Sequence, residues 1–267
     1  MWCLHDMTAG SAFLAYATAN DPLGYLLDVA NFRRMLIWAS GVEKIDISIA
    51  VSEAQPRSHV DERWYEKVAQ RLEASGRFRV AALFFKPNMG RDFSSWFSGI
   101  EKLSHAKADD LVLMLNRSAH GPLTHDWYSQ FARPFEAVPA LGLCGSSINF
   151  EHNVHVQTYA WMTRMNVLTE ISGEYPGKYA LTRETAIFNG ELALSRRIMG
   201  KGYQITSLAW PGEVFSQSRN ADPSLPQYNI SGNLENVPFR HVEGRDIKKA
   251  RKSMIQRLKR KFEWAPL

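Results

Sequence analysis

The sequence predicts an α/β protein with a mainly parallel sheet flanked by helices. Three observations predict it. Short apolar runs alternate with stretches of helical periodicity through the first 115 residues. The composition, 45% hydrophobic and 22% charged, is that of an ordinary globular chain. A chain of 267 residues can bury a core without covalent staples.

The elements follow in order. Residues 26–40 carry apolar side chains at helical spacing, with Gly41 as a stop. Residues 45–51 alternate and then turn continuously apolar, as a strand entering a sheet does. Residues 61–74 read as a helix opened by Asp61 as an acidic cap and ended near Gly76. Residues 77–85 read as a strand, 94–104 as a helix and 111–115 as a strand. This order argues for parallel strands joined by helical crossovers. The second half is less regular. Strands are expected at 140–146, 158–163 and 203–207, a helix at 183–200, and a loop rich in Ser, Asn and Pro at 215–236. Residues 247–262 form a basic helix with Ile247, Met254, Leu258 and Phe262 on one side.

Charge and cysteine usage narrow the function classes. Nine Lys/Arg and two Asp/Glu lie between Arg245 and the C-terminus, against 23 and 25 in the preceding 244 residues. The basic character therefore belongs to the tail, and no nucleic-acid partner is expected of the body. A basic amphipathic helix suits an anionic membrane surface, so residues 245–267 are a candidate peripheral anchor; they suit a solvated helix packed on the body equally. Cys144 lies in an apolar run and reads as a small core residue, and with Cys3 it fits a reducing compartment. The first residues lack the basic start and apolar core of a secretory signal, and no run approaches the ~18 apolar residues of a membrane span. A cytoplasmic location is expected.

Ligands of open α/β sheets sit at the carboxyl ends of the strands. Three such places carry polar residues. After the strand at 77–85 comes a turn with Asn88, Gly90, Arg91 and Asp92 that opens a helix. Gly90 allows a tight turn, Arg91 suits a phosphate, and Asn88 and Asp92 suit a base or ribose. The same residues suit a plain capped turn with Asp92 as the N-cap. After the strand at 111–115 come Asn116, Arg117, Ser118 and His120, which can face a ligand or simply form a turn. Glu191, near a helix start, suits a general base for an acceptor hydroxyl, or a first-turn glutamate favoured by the helix dipole. His155 and Gln157, two apart on an incipient strand, face one side and suit a sugar pocket. His152 and His155 lack the spacing and the cysteine neighbours of a zinc site. No nucleophile elbow, phosphate-binding P-loop or dinucleotide fingerprint occurs.

Four segments in this order resemble a known pattern. Residues 87–100 (PNMGRDFSSWFSGI) are similar to the N-x-G-R-D block of rhamnan synthesis F-type proteins and, more distantly, to a block of family 2 glycosyltransferases. Residues 111–122 resemble the first group's L-L-N-x-S-x-x-G-P stretch. Residues 155–161 resemble its H-x-Q-S/T-Y/F segment, and 191–203 its E-D-x-x-L-x-x-R-L-x-x-x-G-Y block. The resemblance covers roughly residues 28 to 207. It implies a GT-A fold, a Rossmann-like sheet, over residues 1–240, with 241–267 as the basic helix. It implies transfer of a sugar, such as the deoxyhexose rhamnose, from a nucleotide sugar to a glycan or lipid-linked acceptor. Asn88, Gly90, Arg91 and Asp92 would hold the nucleotide, and Asn116, Arg117, Ser118 and His120 would lie by the diphosphate and sugar. His155 and Gln157 would line the donor–acceptor cleft, and Glu191 would be the base of an inverting reaction. Many GT-A enzymes end the third strand in D-x-D, which holds Mg²⁺ or Mn²⁺. Here Asn116-Arg117-Ser118 stands instead, so metal dependence, and turnover itself, are open. A non-catalytic nucleotide-sugar or glycan-binding relative is the alternative.

Overall fold

The computed structural model describes residues 11–219 and 232–242. The chain runs β1 (Ala12–Ala19), α1 (Pro22–Ile37), β2 (Ile45–Glu53), α2 (His59–Ala74), β3 (Phe78–Pro87), α3 (Arg91–Glu101) and β4 (Leu111–Asn116). Then follow β5 (Ala119–His120), α4 (Trp127–Ala137), β6 (Leu141–Gly145), β7 (Ile148–Asn149), β8 (His155–Val156), β9 (Ala160–Arg164) and α5 (Met165–Ile171). The last described part holds α6 (Arg183–Ala186), a π-helical stretch (Ile187–Leu192), α7 (Ala193–Gly200), β10 (Gln204–Ser207), β11 (Val214–Phe215) and β12 (Arg240–His241).

Eight strands form one sheet in the order β11-β10-β6-β9-β4-β1-β2-β3. β1 pairs in parallel with both β2 and β4, and β2 with β3. β9 runs antiparallel between β4 and β6, and β10 is parallel to β6. The sheet is thus mainly parallel and Rossmann-like, as the alternation of elements predicts. Small ladders, β5 with β12 and β7 with β8, lie beside it.

Strand alternation divides the core in two. Leu14 and Tyr16 of β1, and Leu113 and Leu115 of β4, pack with Phe32, Tyr65 and Phe131 of α1, α2 and α4. Phe13, Ala15 and Ala17, with Val112 and Met114, pack with Trp96, Phe97, Leu168, Leu194 and Ile198 of α3, α5 and α7. A two-residue period sends neighbours to opposite faces, so a strand covered on both faces must be apolar throughout. Each fully buried aliphatic or aromatic side chain of this kind contributes roughly 1.5–3 kcal/mol.

Several expectations need correcting. The central strand β1 was not anticipated, and neither was α4 nor α5. α2 begins at His59 because Ser58, not Asp61, is its N-cap; Asp61 is the reciprocal partner of that capping box. α3 begins at Arg91 and is capped by Gly90 in the left-handed region, so Asp92 is not its cap. The expected helix at 183–200 is interrupted by the π-helical stretch, with Glu191 inside it. Glu191 is therefore not a first-turn residue at a helix start. Phe215, expected to begin a loop, closes β11. Cys144 is fully buried in β6, and burial pushes its thiol well above the ordinary range. Cys3, most of the loop at 215–236 and the basic helix at 247–262 lie outside the described residues. No helix among the described residues is long and apolar enough to cross a membrane.

Candidate functional site

Strand order reverses at β1: the chain moves outward through β2 and β3, and α3 returns it to β4 on β1's other side. The carboxyl ends of β1 and β4 lie side by side there, and a crevice opens at them. A cavity of about 310 Å³ occupies it, lined by Thr18 and Ala19 at the end of β1 and Asp21 after it, Ser52 and Ala54 at the end of β2, Asn88, Arg91 and Asp92 after β3, Arg117 and Ser118 after β4, and Ala180 and Leu181. Five of the predicted residues, Asn88, Arg91, Asp92, Arg117 and Ser118, meet here although 24 residues lie between their two segments. A second, apolar groove between α1 and α2, lined by Val29, Phe32, Leu36, Val68 and Leu72, lies away from these strand ends.

The floor of the cavity is a hydrogen-bonded frame. Asn116 donates from Nδ2 to Asp92 Oδ2 at 2.8 Å, while its Oδ1 accepts from the Ser118 amide at 3.0 Å and the Ser118 hydroxyl at 2.6 Å. Asn116 thus ties the α3 side to the β4 side. Burial raises the pKa of Asp92; the Asn116 bond and the charges of Arg117, Arg91 and Lys86 partly offset it. Arg117 donates to Asp21 Oδ2 at 2.6 Å, and Asp21 caps α1 by accepting the Gly24 amide at 2.8 Å. Desolvation lowers the Arg117 pKa, but Asp21, Asp28 and Asp92 outweigh it and raise it overall.

Beneath this frame lies a buried polar cluster. Asp28 of α1 accepts from Tyr16 at 2.8 Å, Thr18 at 2.7 Å and Tyr65 at 3.0 Å. Asn31, one turn further on, donates to the Arg117 carbonyl and to the Tyr16 hydroxyl, each at 3.1 Å. Burial pushes Asp28 up to about 6, against the pull of these hydroxyls and of Arg117. Neither this cluster nor Asp21 was foreseen. Asp21-Pro22 was a readable signal, since an N-cap aspartate before proline marks a helix start.

Gly90 and Arg91 both have positive φ, 72° and 47°. A Cβ on Gly90 would collide with the Lys178 carbonyl oxygen. Gly177 and Gly190 both press on the Phe93 ring, and a Cβ on either would strike it. These contacts seat residues 177–181 beside the α3 start, which is how Ala180 and Leu181 reach the cavity from far along the chain.

Glu191 follows Gly190 and lies outside the cavity lining. Its Oε2 accepts from the Thr158 amide and hydroxyl, both at 2.8 Å, and its Oε1 faces His155 Nε2 at 3.4 Å. Burial alone would raise the Glu191 pKa. The His155 bond and charge, with the two Thr158 bonds, outweigh burial and hold it below the ordinary value. His155 Nδ1 lies 2.7 Å from the Asn153 carbonyl, which can only accept, so that nitrogen carries hydrogen and Nε2 is turned to the carboxylate. Gln157 instead accepts from Ser147 at 2.7 Å. His120 stands on β5, whose partner is β12. Of the predicted residues, then, Glu191, His155, Gln157 and His120 stand apart from the cavity lining, and Gly90 and Asn116 support it from behind.

No protein-family model matches the sequence, and no curated protein matches it. Among solved structures, the chain is similar to a cytidylyltransferase from Leptospira borgpetersenii serovar Hardjo-bovis, at 10% identity over 83% of this chain and 80% of that one, with a TM-score of 0.43. It is also similar to a 4-diphosphocytidyl-2C-methyl-D-erythritol synthase, at 12% identity over 82% and 94%, with a TM-score of 0.40.

Proposed function

We propose that the chain is a glycosyltransferase that takes a nucleotide sugar in the cavity at the ends of β1 and β4. The observation that carries this reading is convergence. Asn88, Arg91 and Asp92 from one block, and Arg117 and Ser118 from another, line a single polar cavity at the strand-order reversal. Such crevices suit nucleotides, and guanidinium groups suit phosphate oxygens.

In this reading Glu191 is the base of an inverting transfer. It takes the proton of an acceptor hydroxyl whose oxygen bonds to the anomeric carbon, while the bond from that carbon to the diphosphate oxygen breaks. The nucleoside diphosphate leaves with its charge met by Arg91 and Arg117. A carboxylate accepts about four hydrogen bonds, and Thr158 and His155 use three of those on Glu191, so one remains for an acceptor. Its side chain is 20% exposed, which leaves that position reachable. The His155–Glu191–Thr158 cluster orients the base and also lowers its basicity. That cost favours the second reading, a non-catalytic nucleotide-sugar binder.

Assays with UDP-, GDP- and dTDP-sugars on the full chain and on Glu191→Gln decide between them. The expected result is transfer by the parent chain that falls at least about 100-fold in the variant, with nucleotide affinity retained. Normal transfer by Glu191→Gln rejects the base. Nucleotide binding without turnover of any donor selects the second reading.

A further inference from the structure

We infer that this cavity receives its nucleoside diphosphate through guanidinium groups, without a divalent cation held by the protein; the inference rests on the glycosyltransferase reading above. A GT-A resemblance implies Mg²⁺ or Mn²⁺ where β4 ends, and the residues present there do not fit one. Hard divalent cations of this kind are held by carboxylates, with carbonyl oxygens and waters completing the shell. Asn116 offers one carbonyl oxygen, already accepting the Ser118 amide and hydroxyl, and its nitrogen is committed to Asp92. A cation on Asn116 Oδ1 would displace both Ser118 bonds and undo the turn that aims Arg117.

The nearby carboxylates are committed as well. Both oxygens of Asp21 are engaged, one by the Gly24 amide and one by Arg117. Asp92 is half-buried and accepts the Asn116 amide through Oδ2, which leaves at most one lone carboxylate oxygen for a cation. Among the described residues no three His, Cys, Asp or Glu side chains come together as a cation site.

Charge supplies no substitute for the missing ligands. Along the lining Arg91 and Arg117 balance Asp21 and Asp92, with Lys86 acting on Asp92 and Asp28 on Arg117, so no negative surplus draws a divalent cation while two guanidinium groups face the cavity. Donors are available for a diphosphate. The Arg91 guanidinium is exposed at the rim and makes no hydrogen bond or ion pair among the described residues. Arg117 holds Asp21 through one terminal nitrogen, and a guanidinium carries five N–H donors in a fixed fork.

Calorimetric titration of the full chain with UDP, GDP and dTDP, in excess EDTA and again with Mg²⁺ or Mn²⁺, tests this. The expected result is an affinity that differs by less than about threefold between the two conditions for the nucleotide that binds. Arg91→Ala and Arg117→Ala should each weaken binding in EDTA by about tenfold or more. Arg91 is exposed, so its variant folds and keeps the test readable if Arg117→Ala does not. Binding that requires Mg²⁺ or Mn²⁺, or that is unchanged by Arg91→Ala, overturns the inference and leaves the glycosyltransferase reading standing. Binding of none of the three nucleotides under either condition overturns both.

Discussion

The cavity at the ends of β1 and β4 and the Glu191 cluster are both polar, yet they are built in opposite ways. The cavity is open and holds donors in reserve. The Arg91 guanidinium has no hydrogen-bonded partner among the described residues, and Arg117 spends one nitrogen on Asp21. Glu191 is largely but not wholly covered and nearly saturated, with Thr158 on one oxygen and His155 on the other. A site with spare donors is suited to capture a ligand. A site whose groups already answer one another is suited to keep one side chain in one place. The two regions thus differ in what they keep in reserve, unspent guanidinium donors in one and a fixed carboxylate in the other.

The sharpest way to break this contrast is to empty the enclosed side. His155 is 4% exposed at its side chain, so His155→Ala leaves the Glu191 carboxylate facing a hole. Removing one partner of a buried pair costs about 3–5 kcal/mol, chiefly through the stranded charge. Urea unfolding at neutral pH should show a loss of that size, with nucleotide affinity little changed. A loss below about 1 kcal/mol would mean that water reaches the pair and that the enclosure is not real.

The link between the two regions is tested at Gly90. Alanine there must hold φ near 72° and must also push back the Lys178 carbonyl. The first demand costs about 1–2 kcal/mol, and moving backbone adds to it, for a total of about 3 kcal/mol. Because residues 177–181 would be displaced, nucleotide affinity should fall too. Gly200→Ala is the control: its Cβ meets open space at the end of α7, and stability should change by less than about 1 kcal/mol. Equal melting temperatures for the two variants would show that the Gly90 contact does not seat the 177–181 segment.

The two regions were unequally legible in the sequence. β2, β3 and β4 announce themselves as apolar runs broken by polar turns, and those turns supplied Asn88, Arg91, Asp92, Arg117 and Ser118. β1 did not announce itself. Four of its eight residues are alanine, a poor strand former, and its extended shape is imposed by β2 and β4 on either side. With β1 missed, Thr18 and Asp21 were missed as well. Ala180 and Leu181 carry no local signal, because their place depends on glycines Gly90, Gly177 and Gly190 admitting close packing. Glu191 was legible as a residue but not in its surroundings. The π-helical turn that carries it, and the bonds from Thr158, arise only when distant segments pack.

The smallest expected effect concerns the frame beneath the open region. Asp28 accepts three hydroxyls from β1 and α2, and burial places its pKa at about 6 against an ordinary value of 3.8. The folded chain therefore keeps this proton through a range in which the unfolded chain has released it. Between those values the folded state binds more protons, so the contribution of Asp28 to stability declines as pH rises from about 4 to about 6. A shift of about two units is worth at most about 3 kcal/mol. Other carboxylates respond oppositely; Glu191, held below its ordinary value, loses stabilising interaction as pH falls. The informative quantity is thus the difference between the parent chain and Asp28→Asn, measured by urea unfolding across pH 4 to 7. The parent should lose ground to the variant as pH rises from about 4 to about 6 and level off above that. A difference that stays flat with pH would mean that the three hydroxyls already stabilise the carboxylate fully. In that case Asp28 remains the counter-charge of Arg117 through the whole range rather than only above about pH 6.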